Sequence, residues 1–319
     1  MDWAKRSPVV KQMDGTSALR AAQPGAIKVF RKYFASQSLS MSPSQAVSQI
    51  VGVLGDYRDP NLYVELFNEC YQDGQPLEDY CGWTAEAVTF LHAAGLKVAG
   101  FGFSTGNPTV YPDAWLYLQS RGYAGVDAIS MHEYWNGKNG QFTEWNALRH
   151  RQIHQWTNGN HPAFIITETG ADAVEGGPSG WKLCNIDGNT YIAQLHRYGL
   201  ELDQDDYVLG ATVFGGSPTP DWANFSTDDL VTSTFVGLPP RTSWSPNSLL
   251  ENGMTIEDIA TKPQRDDPSH NYGIWDHTGI IGTMGAIRAA WADTPDWQAI
   301  LEIGGEAVVI DSHGIYRPS

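Results

Sequence analysis

Residues 61–104, NLYVELFNECYQDGQPLEDYCGWTAEAVTFLHAAGLKVAGFGFS, read as a strand, a helix and a second strand. The helical part is TAEAVTFLHAA (84–94), which begins at a threonine cap and stops at Gly95. The two flanking runs are apolar almost throughout rather than at alternate positions, the pattern of parallel strands buried on both faces. The same kind of run recurs at PVVKQMD (8–14), AIKVFRKYFA (26–35), VDAISMHEYW (126–135), PAFIITETG (162–170) and YVLGATVFGG (207–216). Helical stretches separate them. Ser42-Pro43-Ser44-Gln45 supplies a cap, a proline at the first helical position and a capping-box glutamine, and 141–156 and 188–202 are also predicted helices. Alternation at this spacing means right-handed βαβ units and a parallel sheet.

The predicted fold class is therefore α/β, a TIM-type (β/α)8 barrel, and the 319 residues suffice for a barrel of about 250 plus an extra segment. Only seven strands can be counted before residue 230, so the usual N-terminal first strand is lacking. Either the barrel is imperfect, or a C-terminal strand near 307–316, in EAVVIDSHGIY, fills the slot. The expected organisation is a barrel domain over 1–230, an irregular linker or long loop over 231–270, rich in Pro, Ser, Thr and Asn, and a helix–strand extension over 271–319. That extension should carry helices near GTMGAIRAAWA and DWQAILEI.

Apolar residues form 41% of the chain, enough for a core, and no run of about 18 of them exists to span a membrane. The net charge of −16 repels phosphate backbones and anionic lipid surfaces, arguing against nucleic-acid and membrane partners. Three cysteines are too few for a disulfide scaffold; Cys70 and Cys81 are spaced to bridge across one loop or to remain free thiols. The N-terminal MDWAKRSPVVKQ has no apolar stretch of the signal-peptide kind, which leaves the compartment open.

In a parallel barrel, chemistry gathers where strands end at their C-terminal side. There stand Asn68-Glu69, His132-Glu133-Tyr134-Trp135, and Thr167-Glu168-Thr169-Gly170, with Arg31 and Tyr33 from the second run and Phe214, Asp221 and Trp222 from the last. Two glutamates at the ends of different strands are what glycosidic cleavage requires: one carboxylic acid for the leaving oxygen, one carboxylate for the anomeric carbon or a water. Taken singly, each is as readily a solvated loop carboxylate. Glu65, four residues before Glu69, reads as a barrel-interior carboxylate held by Lys11 or Arg31. Cys70 has no obvious histidine base and reads as packing. His270, Asp276, His277, Asp311 and His313 in the tail match no zinc spacing.

ELFNE at a strand end, a strand ending in HEY, and then IITETG resemble clan A, the large clan of retaining (β/α)8 glycoside hydrolases that includes cellulases, mannanases, xylanases and β-glycosidases. The resemblance spans roughly residues 8–230. It implies Glu69 as the general acid/base and Glu168 as the nucleophile. Asn68 would then hold a substrate hydroxyl and Tyr134 would bond the nucleophile, with His132, Arg31, Tyr33, Trp135 and Trp222 as further substrate-binding or supporting residues. The 99 residues from Glu69 to Glu168 hold three strand–helix steps of about 33 each, as the clan's strands four and seven would demand. Phe214 stands where many members of the clan carry a tryptophan under the reacting sugar, a role that would pass to Trp222 or Trp135. The reaction implied is double displacement on a β-linked oligo- or polysaccharide, needing no metal or organic cofactor. A polysaccharide hydrolase of this kind would work outside the cell or in its envelope. Two alternatives share the residues: a catalytically inactive barrel serving as a carbohydrate-binding or structural module, and a transglycosylase.

Overall fold

The computed structural model describes residues 7–71, 76–109, 111–172, 180–215 and 222–227, with the backbone of 298–303, 306–311 and 314–316. The chain divides into two compact units, Met1–Gly237 and Leu238–Ser319. In the first, β1 (Val9–Met13), β2 (Ile27–Arg31), β3 (Leu62–Glu65), β4 (Lys97–Phe103), β5 (Ala128–Asn136), β6 (Ala163–Asp172) and β7 (Val208–Val213) form one sheet in chain order. Every neighbouring pair is parallel. A helix fills each connection: α1 (Ser17–Ala21), α2 (Pro43–Leu54), α3 (Leu77–Ala93), α4 (Asp113–Ser120), α5 (Arg149–Trp156) and α6 (Gly188–Leu202). The sheet is a nearly closed TIM-type barrel.

Successive strand residues point to opposite faces, and both faces are buried here. Val29, Tyr63, Ala99, Ala128 and Ile165 form a small inner layer. Their neighbours Phe30, Val64, Val98, Ile129 and Phe164 join the larger outer core with Ile50, Leu91, Trp115 and Leu195 of the helices. This is why the strands read as continuous apolar runs.

The two ends of the strand order come close to each other. Gly210 of β7 has φ 150°, and a Cβ built on it would lie 2.4 Å from Cγ2 of Val9 in β1. Gly210→Ala should cost about 1–3 kcal/mol, by overpacking against Val9 and by a φ that side chains rarely adopt, and Val9→Ala in the same chain should restore only the overpacking part. Equal melting temperatures for wild type and Gly210→Ala would show that the seam is not tight.

The tail does not supply the missing strand. β8 (Gln298–Ile303), β9 (Glu306–Asp311) and β10 (Gly314–Tyr316) form their own antiparallel sheet in the order β10-β9-β8, with Ile300 opposite Val309 and Tyr316 opposite Val309 on the other side. The expectation of a parallel strand near 307–316 in the barrel is corrected, and so is the expected helix at DWQAILEI, whose last six residues, QAILEI, are β8. The overlooked signal is QAILEI and EAVVID separated by Gly304-Gly305, a two-residue hairpin signature. The expected linker at 231–270, the helix near 282–292, Asp221, and His270, Asp276, His277 and His313 lie outside the described residues.

Two helix limits also differ from expectation. α3 begins at Leu77, where Pro76 starts the turn and Glu78 and Asp79 complement the helix N-terminus, so Thr84 is a buried interior residue rather than a cap. α5 begins at Arg149 instead of 141, because Asn146 accepts a bond from the Thr143 amide and holds a turn there. The capping box at Ser42 and Gln45 forms as read. Cys70, Cys81 and Cys184 are buried free thiols, and burial pushes Cys70 up to about 11.

Candidate active site

One step above the inner apolar layer, the same inward positions turn polar. Val29 is followed two residues on by Arg31, Tyr63 by Glu65, Ala128 by Ser130, and Ile165 by Thr167. Glu65 is fully buried at the centre. Lys11 Nζ of β1 lies 2.6 Å from its Oε2 and Arg31 Nη1 at 3.9 Å. Ser130 Oγ and Thr167 Oγ1 donate to its Oε1 at 3.0 and 2.7 Å. Burial alone would raise its pKa, but Lys11, Arg31 and His132 outweigh that and hold it well below the usual carboxylate range. Both cations proposed for it from the sequence are present.

Glu168 would point outward if β6 were regular, because Thr167 before it points in. The register slips between β5 and β6: Met131 pairs with Ile166, and His132 with Glu168, leaving Thr167 as an extra residue. Such a bulge re-aims the side chain that follows it. Glu168 accordingly faces inward. Its Oε1 accepts bonds from Arg31 Nη1 at 2.7 Å and Lys11 Nζ at 3.2 Å, and its Oε2 accepts from the Tyr134 hydroxyl at 3.2 Å. Burial pushes its pKa up, but His132, Lys11 and Arg31 prevail and bring it down to about 2.

Glu69 lies just past β3 with φ 49°, a left-handed conformation unusual for a residue with a side chain. Its amide donates to the Gly102 carbonyl at 2.9 Å. That close approach requires Gly102, where a Cβ would stand 2.4 Å from the Phe67 carbonyl oxygen. The Glu69 side chain is 38% exposed against 9% for Glu168, so one carboxyl faces the opening and the other the floor. Asn68 is fixed by its amide, which donates to Gln37 Oε1 at 2.9 Å, and by its side-chain oxygen, which accepts from Arg31 Nη1.

His132, fully buried on β5, stands between the two. Its Nδ1 is 2.7 Å from Glu69 Oε1 and 3.6 Å from Glu168 Oε2, and its Nε2 is 3.6 Å from Glu65 Oε1. The nearest oxygens of Glu69 and Glu168 are therefore separated by no more than the first two distances laid end to end. Burial lowers the pKa of His132, but Glu168, Glu65 and Glu69 outweigh it and hold the ring protonated up to about 9.

The residues singled out from the sequence do not all converge. Glu69, Glu168, Asn68, Tyr134, His132 and Arg31 meet. Trp222 is 46% exposed and sits edge-on to Phe214 at 5.4 Å, which in turn lies 6.5 Å from Tyr134, so it borders the cluster. Trp135 does not take part: its Nε1 donates to Gln194 at 2.8 Å and its ring is buried against Phe142 and Tyr198. Alternation explains this correction, since Tyr134 points in and the next residue must point out. Tyr33 lies beyond the end of β2, 55% exposed, with its amide donating to Asp14 Oδ1 at 3.1 Å and no bond to either glutamate among those observed. Sequence reasoning missed the bond of Lys11 to Glu168. A lysine inside the apolar run VVKQM was the available signal, because such a cation needs a buried carboxylate partner.

No protein-family model and no curated protein sequence matches the chain. Solved structures do resemble it. An endo-β-1,3-glucanase of glycoside hydrolase family 128, subgroup II, from Sorangium cellulosum has TM-score 0.50 at 13% identity, over 75% of this chain and 93% of that one. A subgroup I endo-β-1,3-glucanase from Amycolatopsis mediterranei has TM-score 0.46 at 15% identity, over 74% and 91%. A glucosidase from Croceicoccus marinus has TM-score 0.47 at 13% identity, over 66% of this chain and 49% of that one, so this chain spans about half its length. At such identities the likeness is one of fold.

Proposed function

We propose that this chain is a retaining glycoside hydrolase acting on a β-linked oligo- or polysaccharide, with Glu168 as nucleophile and Glu69 as general acid/base. The observation that carries the reading is the pair itself, two carboxyls from different strand ends brought to one histidine nitrogen at 2.7 and 3.6 Å. Their environments differ as the two roles require. Glu168 is ionised, buried and oriented by Arg31, Lys11 and Tyr134, ready to attack the anomeric carbon. Glu69 lies toward the opening, where a leaving oxygen departs and a water arrives. Retention calls for the two carboxyls to stand about 5–5.5 Å apart, and both reach the same nitrogen of His132.

In the first half-reaction Glu168 bonds to C1 while the leaving oxygen takes a proton through Glu69. In the second, Glu69 removes a proton from water, which attacks C1 and returns Glu168 to a carboxylate. Asn68, next to Glu69 in the chain and tied to the Arg31 that also binds Glu168, would hold a hydroxyl beside the reacting carbon. Trp222 offers an exposed aromatic face at the border for a sugar ring. The Sorangium protein's substrate makes β-1,3-glucan oligosaccharides the first compounds to try, within a panel of β-glucans, mannans and xylans. The test is hydrolysis of that panel with the product anomer followed by NMR. Initial release of the β-anomer is expected; the α-anomer would overturn retention, and no cleavage across the panel would overturn the assignment.

A further inference from the structure

Among the described residues, three cations and three carboxylates meet at the polar layer of the barrel. Lys11 from β1, Arg31 from β2 and His132 from β5 face Glu65 and Glu69 from β3 and the turn after it, and Glu168 from β6. Around His132, β4 contributes Thr105 from the loop beyond it, whose hydroxyl donates to the His132 carbonyl at 3.1 Å. β7 carries no titratable residue, and Glu133 points to the outer face, where it binds His150. The ring nitrogen Nδ1 of His132 lies 2.7 Å from Glu69 Oε1, the carboxyl that faces the opening, so a proton on the ring is one hydrogen bond away from the group that serves the leaving oxygen.

We infer that His132 stores the proton that Glu69 delivers, and takes it back in the second half-reaction. This deepens the proposed function and rests on it. As the Glu168–C1 bond forms and the C1–O bond breaks, the Nδ1 proton passes to Glu69 and on to the leaving oxygen, which receives the electron pair of the broken bond. His132 is left neutral. When water attacks, its proton passes to Glu69 and back to Nδ1, while the pair of the Glu168–C1 bond returns to the carboxylate. The two events are coupled by charge. The negative charge of Glu168, which is the strongest of the influences keeping the ring protonated, vanishes as the ester forms. His132 thus surrenders its proton most readily when the leaving group needs it. It acts through Glu69 and is a positioning residue for the proton.

The test compares wild type and His132→Gln on the glycan identified by the panel and on the 2,4-dinitrophenyl glycoside of the same sugar, whose leaving group departs without protonation. The expected loss in kcat/KM is about 10²–10³-fold on the glycan and below about tenfold on the dinitrophenyl glycoside, because general-acid assistance matters only to the first. The basic limb of the pH profile should also move to lower pH. Equal losses on both substrates, or an unmoved basic limb, overturn the inference. Should His132→Gln fail to fold, ¹⁵N spectroscopy of the wild type decides. Both ring nitrogens should be protonated at pH 7.5, and trapping Glu168 as a 2-fluoroglycosyl ester should lower the titration by about one pH unit or more; a ring neutral at pH 7.5, or unmoved by trapping, refutes the relay. Failure of the fluoroglycoside to label the wild type would overturn the glycosidase reading and the relay with it, whereas labelling with equal losses overturns the relay alone.

Discussion

Glu168→Gln is expected to reduce turnover by roughly 10⁴–10⁶-fold, the scale at which removing a covalent nucleophile leaves only binding and electrostatics. The amide cannot form the glycosyl ester. It also removes the charge that faces Arg31 at 2.7 Å, Lys11 at 3.2 Å and His132 at 3.6 Å. Substrate should still bind, since Asn68, Glu69 and Trp222 are untouched. Glu168→Asp keeps the charge but withdraws it from C1, and a displacement of about 1 Å costs on the order of 10²-fold. Smaller variants separate the two glutamates by stereochemistry. In Glu168→Gly, azide occupies the floor position and attacks the face opposite the leaving group, giving an α-glycosyl azide from a β-glycoside. In Glu69→Ala, azide instead takes the water's place on the glycosyl-enzyme and gives the β-azide. Normal turnover by Glu168→Gln would refute the nucleophile assignment, and exchanged azide products would mean the two roles are reversed.

How far these residues could be read from sequence depends on whether strand-local rules govern them. β1 to β7 were legible because burial on both faces imprints a continuous apolar run, and Asn68, Glu69, Tyr134 and Glu168 because polar residues closing such runs belong to the barrel's open end. Trp135 was misread although alternation alone would have turned it outward. The inward aim of Glu168 was legible only by analogy: the extra Thr167 that produces it is a property of the β5–β6 ladder, invisible within either strand. The contact of Lys11 with Glu168 spans 157 positions and exists because β1 comes round to meet the far end of the sheet. The seam itself was hidden for the same reason. Gly210 is uninformative until Val9 is known to stand against it.

Stability should be greatest between about pH 5 and 6.5 and fall steeply on the alkaline side, because two buried histidines fold as cations. His132 is one. The other, His150 at the start of α5, has Nδ1 2.8 Å from Glu133 Oε1 on the outer face of β5 and Nε2 2.9 Å from Asp205 Oδ2 beyond α6. Tyr198 and Arg151 complete the network on Glu133 and Asp205. Burial lowers the pKa of His150, but Glu133 and Asp205 outweigh it and hold it at about 9. A histidine raised in the folded state stabilises fully below its unfolded value of about 6.5 and loses that contribution as pH rises through about 9. A shift of this size is worth roughly 3 kcal/mol per residue. Two such losses approach the whole stability of an ordinary domain, and Tm should drop by more than about 10 °C between pH 6.5 and 9.5. The carboxylates act with the opposite sign: Glu168, lowered to about 2, stabilises above about pH 4.5 and its contribution goes as pH falls toward 2. Thermal unfolding of the full chain by near-UV circular dichroism at half-unit pH steps measures both limbs. His150→Gln should unfold more readily at pH 6, where Glu133 and Asp205 lose the cation between them, and should show a shallower alkaline fall. A wild-type Tm constant from pH 6 to 9.5 would mean that neither ring is charged in the folded protein.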